Sequence, residues 1–285
     1  MDFPVAVALA KAVPVLPRGV GWWYEPKFDG DRAVLHRSAE TVRIQARSGR
    51  DTTAVWMDIA VAGMQLPPGT VLDGEIVIWR EQRLDFGAVR SRASSSPARA
   101  RELAGRWPAS YAVWDCLALG EDLRGLPYVD RRARLLDVLE GTGPPIQAVP
   151  ATDEVDVAET WLRVLPEQGI EGVVAKRASS PYRAGRIWSK TRVSDTVDAE
   201  VLGYTGSPAR PRALALRLPD GRKVLSQALP AKLAAQLAPL LRESGPGGRA
   251  RIADGTPYLA VATGPVVEVL AGTTRHATVT VTRLR

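Results

Sequence analysis

The hexapeptide KFDGDR, residues 27–32, places a lysine beside two aspartates, a glycine and an arginine. Of the 38 basic residues in the chain, 32 are Arg and only six are Lys, and Lys27 is one of the six. A lysine amine can lose its proton and act as a nucleophile, whereas a guanidinium stays charged at physiological pH. Lys27 is therefore a candidate nucleophile. By itself the hexapeptide also fits a hairpin turn with charged flanks, since Asp-Gly pairs form turns readily.

Four further motifs follow Lys27 along the chain. They are LDGEIV at 72–77, YAVWDCL at 111–117, EGVVAKR at 171–177 and WSKTR at 188–192. Together with KFDGDR, they resemble the motifs of the covalent nucleotidyltransferases, specifically those of compact bacterial ATP-dependent DNA ligases. The resemblance covers residues 20–193 strongly and the C-terminal region more weakly. It implies that the Lys27 amine attacks the α-phosphorus of ATP, forming lysyl-AMP and releasing pyrophosphate.

The resemblance also implies which side chains bind the nucleotide. Glu25 stands where the family reads the adenine amino group, and Arg32 has the planar fork that suits ribose and phosphate oxygens. In the segment ARSGRD, Arg47 resembles the arginine that contacts the nucleotide or the 5′-phosphate of the nick, and a surface hairpin turn fits the same segment. Trp114 is the candidate for stacking on adenine, where the family more often has Phe, and Tyr111 is the alternative.

Two acidic and three basic residues complete the expected site. Glu75 and Glu171 resemble carboxylates that hold Mg²⁺ (or Mn²⁺), and Glu75 also suits the ribose. Lys190 matches the first lysine of a Lys-x-Lys motif that binds the α-phosphate, and Arg192 stands in place of the second. Arginine keeps the charge but changes the geometry of the contact. Lys176 is assigned to substrate or adenine contacts, with an exposed strand lysine as the alternative.

Composition limits the class of protein. With 285 residues, 45% apolar and 24% charged, the chain is long enough for two folded domains and too apolar for wholesale disorder. One cysteine excludes an internal disulfide and two histidines are too few for a zinc cluster, so oxygen atoms must hold any metal. No apolar run approaches the roughly 20 residues of a membrane span, and we expect a cytoplasmic monomer without a membrane partner.

Hydrophobic patterning predicts an α+β fold with two domains, 1–194 and 195–285. The resemblance identifies the first as the nucleotidyltransferase (adenylation) domain. Alternating apolar residues predict strands of a mixed or antiparallel sheet between Val20 and Trp79 and at 111–119 and 169–177. Helical spacing predicts helices at 52–65, 85–104 with an interruption near Pro97, 131–141 and 155–169.

The second domain has a different pattern of apolar and turn residues. Short strands alternate with turn residues, which predicts a small barrel of about five strands, with one helix at 230–244. The barrel resembles an OB-fold, which in ligases closes over the nick and binds the DNA backbone. Residues 194–285 hold 12 Lys+Arg against 7 Asp+Glu, a balance that suits a polyanionic partner. The predicted phosphate contacts are Arg210, Arg212, Arg217, Arg222, Arg249, Arg251 and Arg275.

Three functions are compatible with the sequence. The first, which the set of ordered motifs favours, is an ATP-dependent DNA ligase that seals 5′-phosphate/3′-hydroxyl nicks in double-stranded DNA. The second is an RNA ligase or capping-type nucleotidyltransferase with the same lysine chemistry. The third is a ligase-like module that binds nicked DNA without sealing it. Family barrels usually end in an Arg-x-Asp-Lys motif that orients pyrophosphate, whereas here RHATVTVTRLR offers Arg283 or Arg285 as an approximation.

Overall fold

The computed structural model of the chain describes residues 3–13, 15–192, 196–252, 254–271 and 279–285. The chain divides into two units, Met1–Val193 and Ser194–Arg285. Each unit has its own cluster of buried apolar side chains, as expected of a domain. Among the residues described, no helix is long and apolar enough to cross a membrane.

The first unit mixes strands and helices, which confirms the predicted α+β class. Its strands are β1 (Ala8–Ala12), β2 (Trp22–Lys27), β3 (Asp31–Arg37), β4 (Val42–Ala46), β5 (Thr70–Arg80), β6 (Arg83–Leu84), β7 (Ala109–Leu119), β8 (Glu121–Asp122), β9 (Ile146–Ala148), β10 (Gly172–Arg177) and β11 (Gly185–Arg192). Its helices are α1 (Met57–Gly63), α2 (Phe86–Ala93), α3 (Pro97–Arg106), α4 (Tyr128–Leu139) and α5 (Val155–Val164), and a 3₁₀ turn (Leu165–Gln168) follows α5.

Two sheets face each other in the first unit. The smaller sheet has the order β1-β11-β10-β2, and the larger has the order β4-β3-β5-β7-β8, with β6 beside β5 and β9 beside β7. Strands β1 and β11 are parallel, and the other neighbours in the smaller sheet are antiparallel. Buried residues of both sheets pack between them, including Val34 and Leu117 of the larger sheet and Ala8 and Trp188 of the smaller.

Helices cover the outer face of each sheet. Ala158 of α5 packs with Tyr24 and Val173 of the smaller sheet. Ile59 of α1 and Leu135 of α4 belong to the largest buried cluster, on the larger sheet. Because side chains alternate across a strand, one face of each sheet packs on helices and the other faces the opposite sheet.

The segment between β2 and β3 carries the chain from one sheet to the other. Strand β2 ends at Lys27 in the smaller sheet, and β3 begins at Asp31 in the larger. Gly30 lies in this crossing, where a Cβ atom would overlap the carbonyl oxygen of Ile76 and lie 3.0 Å from Glu75 Cγ. Glycine allows this close approach because it has no Cβ. KFDGDR is therefore an inter-sheet crossover, and the hairpin alternative is wrong.

The segment 85–104 confirms the interruption predicted near Pro97. Helix α2 begins after Asp85, whose carboxylate accepts a hydrogen bond from a backbone N–H of the first turn. Helix α3 begins after Ser96, whose hydroxyl does the same, and Pro97 occupies its first turn. Polar caps and a leading proline are typical of helix starts, which explains why one apolar pattern became two helices. Strands β1 and β11 were not predicted.

The described residues of the second unit form one seven-stranded sheet and one helix. The unit contains β12 (Thr196–Ser207), β13 (Arg210–Arg217), β14 (Lys223–Leu225), α6 (Ala231–Glu243), β15 (Pro246–Arg251), β16 (Pro257–Val261), β17 (Val266–Ala271) and β18 (Val279–Leu284). The sheet order is β14-β13-β12-β16-β15, and β12 also pairs with β17, which pairs with β18. Leu233, Leu237 and Leu241 of α6 pack into the core of this unit.

Two features of the second unit differ from the prediction or extend it. Seven strands are described where about five were predicted. One of the additional strands arises because the chain turns at Gly221, with φ at 83°, and so separates β13 from β14. All described arginines of the predicted phosphate-contact set are exposed, and Arg275 lies outside the described residues. Arg283 and Arg285 both pair with Glu268, at 2.8 and 2.7 Å.

Candidate active site

A cavity of about 460 Å³ opens between the two sheets of the first unit. Nine of the ten residues predicted for the site line it: Glu25, Lys27, Arg32, Arg47, Glu75, Trp114, Lys176, Lys190 and Arg192. The tenth, Glu171, does not line the cavity but contacts Lys27 directly. The structure thus brings the predicted residues together, and their roles remain predictions.

The register of the smaller sheet explains why residues from separate motifs converge. Lys27 of β2 lies opposite Gly172 of β10, and Glu25 lies opposite Val174. Val174 in turn lies opposite Lys190 of β11. Residues directly opposite on antiparallel strands share a face, and residues two apart on one strand do so too. The motifs KFDGDR, EGVVAKR and WSKTR therefore present their charged side chains to one side of the sheet.

Lys27 lies among charged groups at this face. Its Nζ donates a hydrogen bond to Glu171 Oε2 at 2.5 Å and lies 3.9 Å from Asp29 Oδ1. Arg192 Nη2 lies 3.2 Å from the same oxygen of Glu171. The Lys27 side chain is only 16% exposed, so water screens these interactions weakly. Asp29 is thus a site residue that sequence reasoning missed, although it stands inside KFDGDR.

The two carboxyl groups near Lys27 have different affinities for protons. Burial, followed by the Glu171 carboxylate, raises the pKa of Asp29 to about 6. Burial also acts to raise the pKa of Glu171, but Lys27 and Arg192 outweigh it and hold that pKa below its ordinary value. Glu171 is therefore ionised at neutral pH, while Asp29 takes up a proton just below neutrality.

Three cations occupy one region of the cavity. Arg47 lies in the turn after β4 and is exposed, Lys190 lies on β11, and Arg192 is 56% exposed. Burial lowers the pKa of Lys190, and Arg192 and Lys27 add to this effect. Arg47 belongs to a surface turn, as one interpretation of ARSGRD held, and it also lines the cavity, so its contact with the nucleotide or the nick stays a prediction. Such a cluster suits phosphate groups.

Arg32 is held by a bidentate ion pair. Its Nε and Nη2 donate to the two carboxylate oxygens of Asp73 at 2.8 and 2.6 Å, and the Tyr182 hydroxyl donates to Asp73 Oδ2 at 2.7 Å. Burial alone would lower the pKa of Arg32, but Asp73 raises it. The guanidinium also lies 4.7 Å from the centre of the Trp114 ring. Asp73 and Tyr182, which were not predicted, therefore fix the orientation of Arg32.

Glu25 and Lys176 form a buried ion pair at the cavity wall. Lys176 Nζ lies 3.0 Å from Glu25 Oε1 and 2.8 Å from Oε2, and it donates to the Trp114 carbonyl oxygen at 3.2 Å. The Tyr128 hydroxyl donates to Glu25 Oε1 at 2.5 Å. Lys176 is 0% exposed, so the alternative of an exposed strand lysine is wrong.

The two aromatic candidates for stacking have different surroundings. Tyr111 belongs to the largest buried cluster, and its hydroxyl lies 2.9 Å from the carbonyl oxygens of Ala33 and Leu72. Trp114, three residues further along β7, lines the cavity. Trp188 lies beside it, with the ring centroids 6.5 Å apart, and was not predicted. Trp114 is therefore retained as the stacking candidate, and Tyr111 is assigned to the core.

The acidic residues fit a cation that binds mainly through phosphate and water. No group of three or more His, Cys, Asp or Glu converges anywhere in the described part of the chain. Mg²⁺ commonly binds proteins through only one or two carboxylates and keeps phosphate oxygens and water as its other ligands. Glu75 lines the cavity and Glu171 adjoins Lys27, so the donor set is compatible with the predicted Mg²⁺ or Mn²⁺.

Glu75 makes the stability of the protein depend on pH. Its Oε1 accepts a hydrogen bond from the Gly30 N–H at 3.1 Å, and burial raises its pKa from 4.5 to about 7. Because the folded state holds this proton more tightly than the unfolded state, the free energy of unfolding falls as the pH rises between these values. Glu75→Gln keeps the acceptor and removes the charge, so the variant should gain about 1–2 kcal/mol over wild type between pH 5 and pH 8.

Urea unfolding of both proteins in metal-free buffer at the two pH values measures this difference. Glu268→Gln is the matched control, because the pKa of Glu268 lies below its ordinary value through its hydrogen bonds to Arg283 and Thr282. Because Glu268 is already ionised in both the folded and the unfolded state at pH 5, the stability difference between this control and wild type should hardly change between the two pH values. A Glu75→Gln advantage that is the same at both pH values would contradict the assignment.

Comparison with known proteins agrees with this geometry. A family model described as the ATP-dependent DNA ligase domain matches residues 7–192. DNA ligase C2 of Mycolicibacterium smegmatis is 35% identical over 204 residues, which cover 70% of this chain and 57% of that protein. DNA ligase C of Mycobacterium tuberculosis is 36% identical over 208 residues, which cover 70% and 58%. The chain therefore spans less than two thirds of the length of these curated relatives.

Solved structures share the fold. The ligase domain of M. tuberculosis LigD has a TM-score of 0.57 at 22% identity, over 98% of this chain and 94% of that chain. A mycobacterial DNA ligase D complexed with ATP has a TM-score of 0.54 at 23% identity, with the same coverage. At these identities the likeness concerns the fold alone. The family match, however, extends over well more than half of the chain and includes all five motifs, so the chain belongs to the ATP-dependent DNA ligase family.

Proposed function

We propose that the protein is an ATP-dependent DNA ligase that seals 5′-phosphate/3′-hydroxyl nicks through a lysyl-AMP intermediate. The observation that carries the proposal is the Lys27 amine, which lies in a cavity between the sheets with cations and carboxylates around it. The substrates are ATP and nicked double-stranded DNA, bound by a monomer in the cytoplasm. Family membership supports the reaction class.

The two kinds of surroundings in the cavity suggest how ATP is oriented. The buried Glu25–Lys176 pair and the Trp114 ring provide hydrogen-bonding groups and an apolar surface, which suit a purine base. Lys190 and Arg192 provide positive charge, which suits phosphates. With the base at the first group and the phosphates at the second, the α-phosphorus lies near Lys27.

In the first step, the Lys27 amine attacks the α-phosphorus. An N–P bond forms, the bond from that phosphorus to the bridging oxygen breaks, and pyrophosphate leaves with the electron pair. The amine must first give up a proton, and the nearby carboxylates are Glu171 and Asp29. Asp29 has a pKa of about 6, nearer to neutrality, which makes it the better proton acceptor.

In the second step, an oxygen of the 5′-phosphate attacks the phosphorus of lysyl-AMP, and the N–P bond breaks to restore the amine. In the third step, the 3′-hydroxyl loses its proton to water and its oxygen bonds to the 5′-phosphorus, while the phosphoanhydride bond breaks and AMP leaves with the electron pair. Lys190 and Arg192 stabilise negative charge on the phosphates throughout. A divalent cation, Mg²⁺ or Mn²⁺, held by Glu75 and Glu171, would neutralise further phosphate charge.

The second unit is proposed to be an OB-fold domain that binds the DNA backbone. Its antiparallel pairings and its single helix in the described residues are compatible with that fold. The exposed Arg210, Arg212 and Arg249 supply charge for phosphate contacts. Arg217 and Arg222 are also exposed but pair with Glu200 and Asp220, so they are weaker candidates.

Sealing of matched nicks in DNA and RNA tests the proposal. Wild-type protein, ATP and Mg²⁺ should join an all-DNA nick, and sealing should be slower when the strands at the nick are RNA. Faster sealing of the RNA nick would favour an RNA ligase instead. Binding of nicked DNA without joining of either substrate would favour a ligase-like binding module.

A further inference from the structure

Tyr128 contacts both members of the buried ion pair at the cavity wall but does not line the cavity. Its hydroxyl donates to Glu25 Oε1 at 2.5 Å. Lys176 Nζ lies over the Tyr128 ring, 4.7 Å from its centre, and 4.4 Å from the centre of the Trp188 ring. Tyr128 is 0% exposed and is the first residue of α4, outside all five motifs. One side chain from a separate element therefore holds both the acceptor and the donor of this pair.

The hydrogen bonds of Glu25 show what Tyr128 adds. A carboxylate oxygen accepts about two hydrogen bonds. Oε1 already accepts one from Tyr128 and one from Lys176, and Arg132 Nη1 lies 3.9 Å from it. Oε2 lies 2.8 Å from Lys176 Nζ and makes no other hydrogen bond or ion pair with the described residues. Oε2 is therefore the oxygen with capacity for a further donor. Without the tyrosine hydroxyl, Oε1 loses one of its two hydrogen bonds, and the orientation of the carboxylate is fixed less firmly.

We infer that Tyr128 is a positioning residue that sets the preference of the site for adenine, acting through Glu25 and Lys176. This inference rests on the proposed function. A carboxylate acceptor beside an ammonium donor matches the adenine edge, which offers a 6-amino donor next to the N1 acceptor. Guanine offers the reverse, an O6 acceptor next to an N1–H donor. When Glu25 and Lys176 are held in one orientation, bound guanine leaves the polar groups of this pair without partners, and the site therefore rejects guanine.

Label transfer from α-labelled nucleotides to the protein tests the inference. Tyr128→Phe keeps the ring over Lys176 and removes only the hydroxyl. We expect the KM for ATP to rise about tenfold and the ATP-over-GTP preference to fall by about the same factor, with the maximal rate little changed. Purine riboside triphosphate, which lacks the 6-amino group, should show the same KM with wild type and Tyr128→Phe.

Tyr24→Phe is the matched control, because Tyr24 is also buried and its hydroxyl donates to the Pro17 carbonyl oxygen at 2.7 Å instead. It should lose similar thermal stability and keep the wild-type KM and nucleotide preference. Equal KM values and preferences in the two variants would overturn the inference, as would an equal rise in KM for ATP and the analogue with Tyr128→Phe. Wild type that takes label from no nucleotide would overturn the proposed function itself, and the inference with it.

Discussion

Replacement of Lys27 by alanine is expected to reduce the transfer of label from α-labelled ATP to the protein by at least about 10³-fold, because alanine has no amine to form the covalent bond. Two other lysines line the cavity, but neither occupies the position of Lys27. Lys176 is buried in its pair with Glu25, and Lys190 lies on β11, two strands away from Lys27. Neither replaces Lys27 at the α-phosphorus. Denaturing gel electrophoresis of the labelled protein measures the effect.

Two further variants separate loss of the nucleophile from loss of charge. Lys27→Arg keeps a positive charge beside Glu171 but cannot supply a neutral amine, so it should be as inactive as the alanine variant. Lys223→Ala removes an exposed lysine of β14 and should label like wild type. Label on Lys27→Ala at a rate near that of wild type would show that another side chain is the nucleophile.

Gly30→Ala is expected to have the second-largest effect. The added Cβ would overlap the carbonyl oxygen of Ile76 and lie 3.0 Å from Glu75 Cγ, and Ile76 lies in the middle of β5, where it cannot withdraw. The crossover must then move, and it carries Lys27 on one side and Arg32 on the other. We expect at least about 100-fold slower labelling and a loss of about 1–3 kcal/mol in the free energy of unfolding.

Gly105→Ala provides the matched control. Gly105 lies in α3, and nothing lies within 4 Å of the position its Cβ would take. Alanine favours helix over glycine by about 1 kcal/mol, so this variant should be as stable as wild type or more stable, with unchanged labelling. Kinetics of labelling and urea unfolding of both variants measure the difference. Gly30→Ala with wild-type labelling would contradict the role given to the crossover.

The sequence predicted the members of the site mainly through the order of the motifs, which indicated the family. Strand periodicity added that Glu25 and Lys27, two residues apart in a predicted strand, share a face. Lys190 and Arg192 share a face of β11 in the same way, but that strand was not predicted. The crossover was not predictable from KFDGDR alone, because an Asp-Gly pair fits a hairpin equally well and only the pairing of β2 and β3 with different partners distinguishes the two.

The residues that position the site were missed for a related reason. Tyr128 begins α4 and Tyr182 lies between β10 and β11, so neither belongs to a motif, and each reaches the site only through tertiary packing. Asp73 stands inside LDGEIV, but nothing local shows that it pairs with Arg32 of another strand. Contacts between residues distant in sequence depend on the sheet register, which composition and spacing do not specify.

A single-turnover chase tests the central claim most directly. Wild-type protein is labelled with α-labelled ATP, freed of nucleotide and mixed with a nicked DNA duplex and Mg²⁺. We predict that label leaves Lys27, appears first on the 5′-phosphate of the nick and then as free AMP, while the nick closes in equal amount. Label that remains on the protein while the nicked duplex is bound and left open would contradict the account and favour a binding module.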